Sequence, residues 1–263
     1  MELGPDDIVY TAQPFFWTAG ICMSLGATLA VGATLVVEET FDAGHALETI
    51  ERESVTALHA WPHQEKSMAE HPTAAARDLS CLRRIEFSSP LAPVAGLEKD
   101  EWGTYGAYGM SETFTSVAAI TASAPAELRR RTHGLPLAGN SLRILDPADG
   151  SQRPTGEQGE IAVKGLTFMR GYYKVEPELY LDGDGYFHTQ DGGFLDEQGY
   201  LVWKGRLSGL IKTGGANVSP LEVEEAAARF PGVKTSACLG LDHPTLGQAV
   251  VLCVVANPGA SPA

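Results

Sequence analysis

Between Ile8 and Val37 the chain carries no charged residue, and apolar side chains run almost continuously through TAGICMSLGATLAVGATLVV. A run this long raises the question of a membrane span. Gly20, Gly26 and Gly32 interrupt it and neither flank carries basic anchors, so the pattern predicts instead a buried helix leading into a buried strand, ATLVV, of an α/β sheet. Nor is it a signal peptide, because Met1 is followed by the acidic ELGPDD and not by a basic region. Apolar positions at helical spacing in GHALETIERE, a β-rich SVTALHAW and a strand-like LRRIEFSSP ending in a polar turn continue the alternation and predict parallel βαβ units. From about residue 115 the texture becomes short strands between glycines and prolines: SVAAITA, SLRILDP, GEIAVKG and the hairpin-like GYFHTQDGGFLDEQGYLVWKGR. That predicts a second, β-rich, barrel-like layer. After Arg206 it changes once more. A helix is announced by Ser219 as N-cap, Pro220 in the first turn and Glu222 closing a capping box, followed by strands TSACLGL and AVVLCVVA. The predicted division is residues 1–206 as a large α/β unit and 207–263 as the start of a small α+β unit.

Composition narrows the function. Nineteen Lys and Arg against thirty-three Asp and Glu give a net charge of −14, so no overall basic field attracts nucleic acid or an anionic membrane, and any anionic ligand must be held by local groups. The cysteines at 22, 81, 238 and 253 show no CxxC spacing, which reads as reduced core thiols of a cytoplasmic protein. DGDGYFHTQD has Tyr186 where a calcium loop needs a ligand. His59 and His63 are separated by Pro62, which breaks the helix that would align them, and no GxSxG element supports a serine hydrolase.

Three stretches could carry chemistry. In YGAYGMSETFT, close glycines allow backbone to approach a ligand, Tyr108 offers a flat face, Ser111 and Thr113 supply hydroxyls and Glu112 a lone carboxylate. Those parts suit a nucleotide monophosphate with Mg2+, and they equally suit a glycine-rich turn capped by hydroxyls. In HTQDGGFLDEQGYL, Asp191 could accept hydrogen bonds from a vicinal diol or close an Asx turn. In KGRLSGLIKTGGANVSP, Lys204, Arg206 and Lys212 lie among glycines, either to meet an anion or as the solvated charges of a connector.

Taken in this order, the three stretches resemble the adenylate-forming superfamily of acyl- and aryl-CoA ligases, firefly luciferase and peptide-synthetase adenylation domains. YGMSET resembles its YGxTE box, HTQDGGFLDEQGYLVWKGR its TGD and GR boxes, IKTGGANVSPLEVEE its C-terminal domain entry, PFFWTAG its acyl-pocket aromatic motif and FSSPLAP its adenine-side turn. The resemblance covers nearly the whole chain and is nearest to the acyl-CoA synthetases. It implies an α/β partial adenylation domain followed by the start of the C-terminal domain. It also implies a reaction: a carboxylic acid, fatty or aromatic, and ATP give an acyl adenylate and pyrophosphate, and CoA then displaces AMP.

By the same resemblance, Ser88, Ser89, Pro90, Gly106, Ala107, Tyr108 and Gly109 surround the adenine. Ser111 meets the AMP phosphate, Glu112 binds Mg2+, Asp191 holds the ribose hydroxyls and Arg206 contacts ribose or phosphates. Phe16, Trp17 and Gly20 belong to the acyl pocket, Trp17 standing where many relatives have His. Lys212 with Gly214 and Gly215 faces the thioester-forming half-reaction and the CoA channel, and Ser208 is the hinge, where many relatives have Asp or Lys. Tyr108, Glu112, Asp191 and Arg206 are thus expected around one adenylate.

Two family elements do not occur in these residues: the Ser/Thr/Gly-rich phosphate loop ending in Lys-Gly, and the Pro-Lys-x-x-x-Gly-Lys element with its adenylation lysine. The expectation is a truncated ligase, with a non-catalytic remnant or interaction module as the alternative. Self-association or complementation through surfaces the missing pieces would cover also follows.

Overall fold

The computed structural model describes residues 2–213 and 216–260, which form two compact units, residues 1–141 with 165–175 and residues 142–164 with 176–263. The boundary expected after Arg206 falls inside the second of these units.

The first unit begins with β1 (Ile8–Thr11). The uncharged run then forms a π-helical stretch, Gly20–Gly26, that continues into α1 (Ala27–Val31) and stops at Gly32, whose φ of 72° closes the helix end in the left-handed conformation. Then follow β2 (Thr34–Val37), α2 (Ala43–Arg52) and β3 (Ala57–His59). The sheet has the order β2-β1-β3 and is parallel throughout, as the alternating pattern predicts. One part of that expectation is corrected: β2 is an edge strand with Val37 exposed, and Leu29 of α1 is exposed too, so helix and strand are covered on one side only. A second correction concerns LRRIEFSSP, which pairs only at Arg84 with Ala57. Arg83 and Arg84 turn their side chains to Asp7, and the chain bends from Glu86 into a turn.

Asp42 accepts the His45 N–H at 2.9 Å and caps α2. The helix buries Ala46, Leu47 and Ile50 against Tyr10, Leu58, Met68, Leu79, Leu82 and Ile85, which form the core. Next come α3 (Pro62–Ala69), β4 (Ala107–Tyr108), β5 (Ala118–Ala119), α4 (Ala126–Arg131) and β6 (Leu135–Pro136). β4, β5 and β6 pair antiparallel in that order, so SVAAITA yields only a two-residue strand. Pro62 starts α3 where its missing N–H costs nothing, and His63 is exposed while His59 ends a buried strand.

Between the helix at Ser24 and the sheet lies a polar group of three side chains. Thr11 Oγ1 and Ser24 Oγ are 2.9 Å apart, and Ser24 Oγ shares a hydrogen bond with His59 Nδ1 at 3.1 Å. Nε2 of His59 has no hydrogen-bond partner among the described residues. Burial lowers the His59 pKa to about 4, because a charged imidazolium is not solvated there. The unfolded chain takes up this proton near its ordinary value of 6.5, so stability present above that value is lost as pH falls towards 4. The contribution is about 3 kcal/mol. The melting temperature of wild type is therefore expected to fall more steeply between pH 7 and pH 4.5 than that of His59→Leu. Parallel curves would show that His59 does not carry the effect.

Apart from Asn140, Ser141 and Gly165, the second unit holds β7 (Asn140–Leu145), β8 (Gly159–Gly165), β9 (Phe187–Leu195) and β10 (Leu201–Arg206) in the sheet order β10-β9-β8-β7. It also holds β11 (Ile211–Thr213), β12 (Ala216–Val218), α5 (Pro220–Ala228), β13 (Val233–His243) and β14 (Gly247–Ala256), with sheet order β12-β11-β14-β13. The capping box expected at α5 does not form. Ser219 Oγ donates to the Lys204 carbonyl at 3.0 Å, and Glu222 pairs with Lys204 Nζ at 3.3 Å. Both side chains are therefore spent on β10 and not on the helix N-terminus. The four cysteines are free thiols. No helix among the described residues is long and apolar enough to cross a membrane.

Candidate active site

The first unit brings two of the sequence elements together. In FSSPLAP, Ser88 Oγ bonds the Tyr105 hydroxyl, and Glu86 Oε1 accepts from both the backbone N–H and, at 2.6 Å, the hydroxyl of Thr104. The serine turn and YGAYGMSE are thereby neighbours, although 17 and 18 residues separate these partners in the chain. Ser89 is buried and its Oγ accepts the Leu91 N–H at 3.1 Å, while Ser88 and Pro90 are exposed. Tyr108 is buried on β4, opposite Ala118.

After Tyr108 the backbone makes an unusual turn. Ser111–Thr113 form one 3-10 turn, and Phe114 and Thr115 follow with φ of 51° and 86°. For a β-branched residue such as Thr115 this conformation is strained. The turn folds back so far that Thr115 N–H donates to the Met110 carbonyl at 3.0 Å, and a methyl group at Gly109 would overlap the Thr115 carbonyl. Glycine is needed at 109 for this close approach, which is to the chain's own backbone and not to the ligand that the sequence pattern suggests. At Gly106 the atoms nearest to an added methyl are those of the Ile120 side chain, followed by the Arg129 Cα. Ser111 is exposed and Glu112 half-buried on this turn.

Glu112 is held from a segment that no motif or periodicity singles out. Met169 N–H donates to the Glu112 carbonyl at 2.7 Å, and the Tyr172 hydroxyl donates to Glu112 Oε1 at 2.8 Å. Residues 165–175 follow β8 in the chain but pack within the first unit. Among the described residues no three His, Cys, Asp or Glu side chains come together as a metal cluster. A single hard carboxylate oxygen still fits Mg2+, which keeps most of its water and takes its remaining ligands from phosphate.

Phe16 and Trp17 lie on the surface, 84% and 53% exposed, with Trp17 edge-on to Trp61 at 5.9 Å. Gly20 is buried, and a side chain there would overlap the Pro14 carbonyl. Phe16 borders a cavity of about 490 Å³ that also carries Glu38 and Glu39. A separate cavity of about 380 Å³ in the same unit is lined by Cys22, Met23, Ala27, Ala107, Ala119 and Ile120, among others. Among the described residues its lining includes no Lys, Arg or His, and its Glu2 carboxylate already accepts from the Ser123 N–H and hydroxyl at 2.7 and 2.9 Å.

In the second unit Asp191 and Arg206 face each other across β9 and β10, one residue beyond the irregularity at Trp203/Gly205. Arg206 Nε lies 3.0 Å from Asp191 Oδ1 and Arg206 Nη1 donates to the Thr189 carbonyl at 2.9 Å. The carboxylate side chain is 6% exposed and the guanidinium 58%, so Arg206 covers a buried acid and keeps donors towards solvent. The strand around Asp191 is pinned from β8. Glu160 accepts the Gln190 N–H and pairs with His188 Nδ1, both at 2.9 Å, and Thr189 Oγ1 donates to Ile161 O at 2.6 Å while accepting the Asp191 N–H at 3.0 Å. These fasteners hold Gln190 at a φ of 59° immediately before Asp191. Lys212 is exposed on β11, its N–H donating to Gln248 Oε1 at 2.8 Å. Gly214 and Gly215 lie outside the described residues, and Ser208 is described by its backbone alone, in a 3-10 turn. Tyr108, Ser111 and Glu112 thus belong to the first unit, and Asp191, Arg206 and Lys212 to the second.

The first unit thus carries a parallel sheet and a glycine-dependent turn with Ser and Glu, and the second a β-hairpin with an Asp–Arg pair, within a mixed α/β chain. Residues 1–173 match the family described as AMP-binding enzyme, and the chain belongs to that family. It is 34% identical over 98% of its length to 3-[(3aS,4S,7aS)-7a-methyl-1,5-dioxo-octahydro-1H-inden-4-yl]propanoyl:CoA ligase of Rhodococcus jostii (strain RHA1), of which it covers 49%. Its fold is similar to ATP-bound MatB from Rhodopseudomonas palustris, with a TM-score of 0.81, 27% identity, and coverage of 99% of this chain and 52% of that one. A similar match, with a TM-score of 0.76 and 26% identity over 97% of this chain and 53% of the other, is to o-succinylbenzoate coenzyme A synthetase (MenE) from Bacillus subtilis in complex with ATP and magnesium ion. The chain spans about half the length of these relatives.

Proposed function

We propose that this chain is the AMP-binding part of an acid-CoA ligase, which activates a carboxylic acid as its acyl adenylate and passes the acyl group to CoA. The observation that carries the reading is the turn at Gly109–Thr115, where strained backbone and a segment distant in sequence hold Ser111 and Glu112 in place. Strain of this kind persists where the surroundings over-determine it, and it clusters at ligand sites. In this reading Tyr108, Gly106 to Gly109 and Ser88 to Pro90 serve the adenine, Ser111 the phosphate, Glu112 the Mg2+, and Asp191 with Arg206 the ribose. Lys212, with Gly214 and Gly215, serves the CoA half-reaction, and Ser208 the hinge. The relatives named as CoA ligases support it, as does the match to structures holding ATP and Mg2+.

The acid is one with a neutral, apolar body. The cavity of about 380 Å³, with no Lys, Arg or His among its described lining residues, supports this, since a second anionic group would be desolvated there without a side-chain partner. Phe16, Trp17 and Gly20, which do not line that cavity, are read as acyl-pocket residues on the family resemblance alone.

Isothermal titration of the chain with AMP and Mg2+ tests the proposal. Binding is expected to weaken at least about tenfold in both Asp191→Ala and Glu112→Gln, the loss of one hydrogen-bonded charged group being worth roughly 1.5–3 kcal/mol. No heat with wild type, or unchanged binding in both variants, would overturn it. Octanoate and succinate titrated into the same chain check the acid, and succinate binding as tightly as octanoate would remove the apolar assignment. Acid-dependent exchange of pyrophosphate into ATP separates turnover by this chain from AMP binding alone.

A further inference from the structure

The segment 165–175 returns from the end of β8 to the first unit and makes two bonds to one residue: a main-chain N–H, from Met169, on the Glu112 carbonyl, and a phenol, from Tyr172, on its carboxylate. The second one is chemically different, because it fixes which oxygen of Glu112 is engaged and removes the rotation that a half-exposed glutamate otherwise has. We propose that Tyr172 is a positioning residue: by occupying Oε1 it presents Glu112 to a divalent cation through Oε2 alone, and so favours Mg2+ over Ca2+. This inference rests on the assignment of Glu112 to Mg2+ made above.

The chemistry behind the selectivity is coordination geometry. Mg2+ is small, keeps near-octahedral water and takes a carboxylate through one oxygen, whereas Ca2+ readily accepts both oxygens of a carboxylate in a looser shell. A donor fastened to Oε1 opposes the bidentate mode and leaves the one-oxygen mode intact. Groups that orient a ligand in this way are worth about 10- to 100-fold in metal affinity. The hydroxyl is also neutral, so its removal changes geometry without changing the charge near the cation.

The test is AMP binding by the whole chain at fixed nucleotide, titrated separately with MgCl2 and CaCl2, for wild type, Tyr172→Phe and Tyr173→Phe. Tyr173 is the adjacent ring, 86% exposed and stacked by Lys174 Nζ at 5.2 Å, and it serves as the control. Tyr172→Phe is expected to need about tenfold more Mg2+ for half-maximal enhancement, to respond to Ca2+ as well as or better than wild type, and to keep its AMP affinity without metal and its melting temperature. Tyr173→Phe is expected to match wild type throughout. If wild type shows Mg2+ dependence and Tyr172→Phe shares it unchanged, the inference fails and the proposed function stands. A Tyr172→Phe variant that loses Mg2+ and Ca2+ response equally, or whose melting temperature falls in parallel, shows a purely structural tyrosine and also overturns it. Wild type without any metal dependence removes the assignment of Glu112 and this inference with it.

Discussion

Gly109→Ala is expected to weaken AMP binding roughly 100-fold, the largest functional effect of any single methyl group in this chain. The added carbon would overlap the Thr115 carbonyl, with the Ser116 Cα also in its way, and these are backbone atoms that cannot rotate aside. Relief requires the turn to open, which moves Ser111 and Glu112 away from the position that Met169 and Tyr172 hold. A misplacement of about 1 Å costs on the order of 10²-fold in rate where groups must be aligned for reaction, and a loss of the same order is expected here in binding. Overpacking of this kind also destabilises by about 1–3 kcal/mol. Gly106→Ala is the informative comparison: there the nearest obstacle is the Ile120 Cγ2 methyl and not backbone, so rotation of one side chain can relieve it and a smaller loss is expected. Titration of both variants with AMP and Mg2+ decides the matter. Equal affinities for Gly109→Ala and wild type would show that the turn can open without consequence, and the reading of the site would lose its main support.

The largest stability effect is expected at the other end of the first unit, at Asp7. Its side chain is 2% exposed and lies among four donors: the Gly4 N–H and Thr56 hydroxyl at 2.8 Å, Arg83 Nη2 at 3.0 Å and Arg84 Nε at 3.1 Å. It ties the start of β1 to the Thr56 and Arg84 regions, and so fastens the N-terminal edge of the parallel sheet. Asp7→Ala leaves these donors without an acceptor, and a cost of about 3 kcal/mol is expected, at the lower end for a buried pair because both arginines retain contact with water. For a chain of this size that corresponds to roughly 6–12 °C in melting temperature.

The pH dependence gives a second check on Asp7. Burial alone would raise its pKa, but the bonds from Gly4, Thr56 and Arg84 outweigh it and hold the carboxyl below its ordinary 3.8. A carboxylate so depressed contributes stability above the unfolded value and loses it as pH falls through the folded one. The gap between wild type and Asp7→Ala is therefore expected to be full at pH 7 and to close below about pH 3.8. A gap that stays constant down to pH 2.5 would place the stabilisation in packing and not in charge.

What the linear chain determined by itself is its local grammar. The spacing of Ala46, Leu47 and Ile50 reads directly as one face of a helix, and that face is buried in α2. Gly32 as a break before the strand and the β9–β10 hairpin were equally legible, because each follows from near-neighbour sterics and backbone freedom. The order of YGMSET, HTQD and GR motifs carried the family, which the match over residues 1–173 bears out.

Only the tertiary structure decided which groups meet. Tyr172 reaches Glu112 across 60 residues, Glu86 reaches Thr104 across 18, and Glu160 supports Gln190 across 30. No periodicity marks such partners, since a hydrogen bond between distant segments depends on how sheets and loops return and not on local spacing. The same reason accounts for the capping box that Ser219 and Glu222 promised and did not form: near neighbours made it possible, but the Lys204 carbonyl and ammonium, brought alongside by β10, offered both side chains competing partners. Local sequence sets what each residue can do, and packing chooses among those options because a buried polar group must find its partner wherever the fold places one.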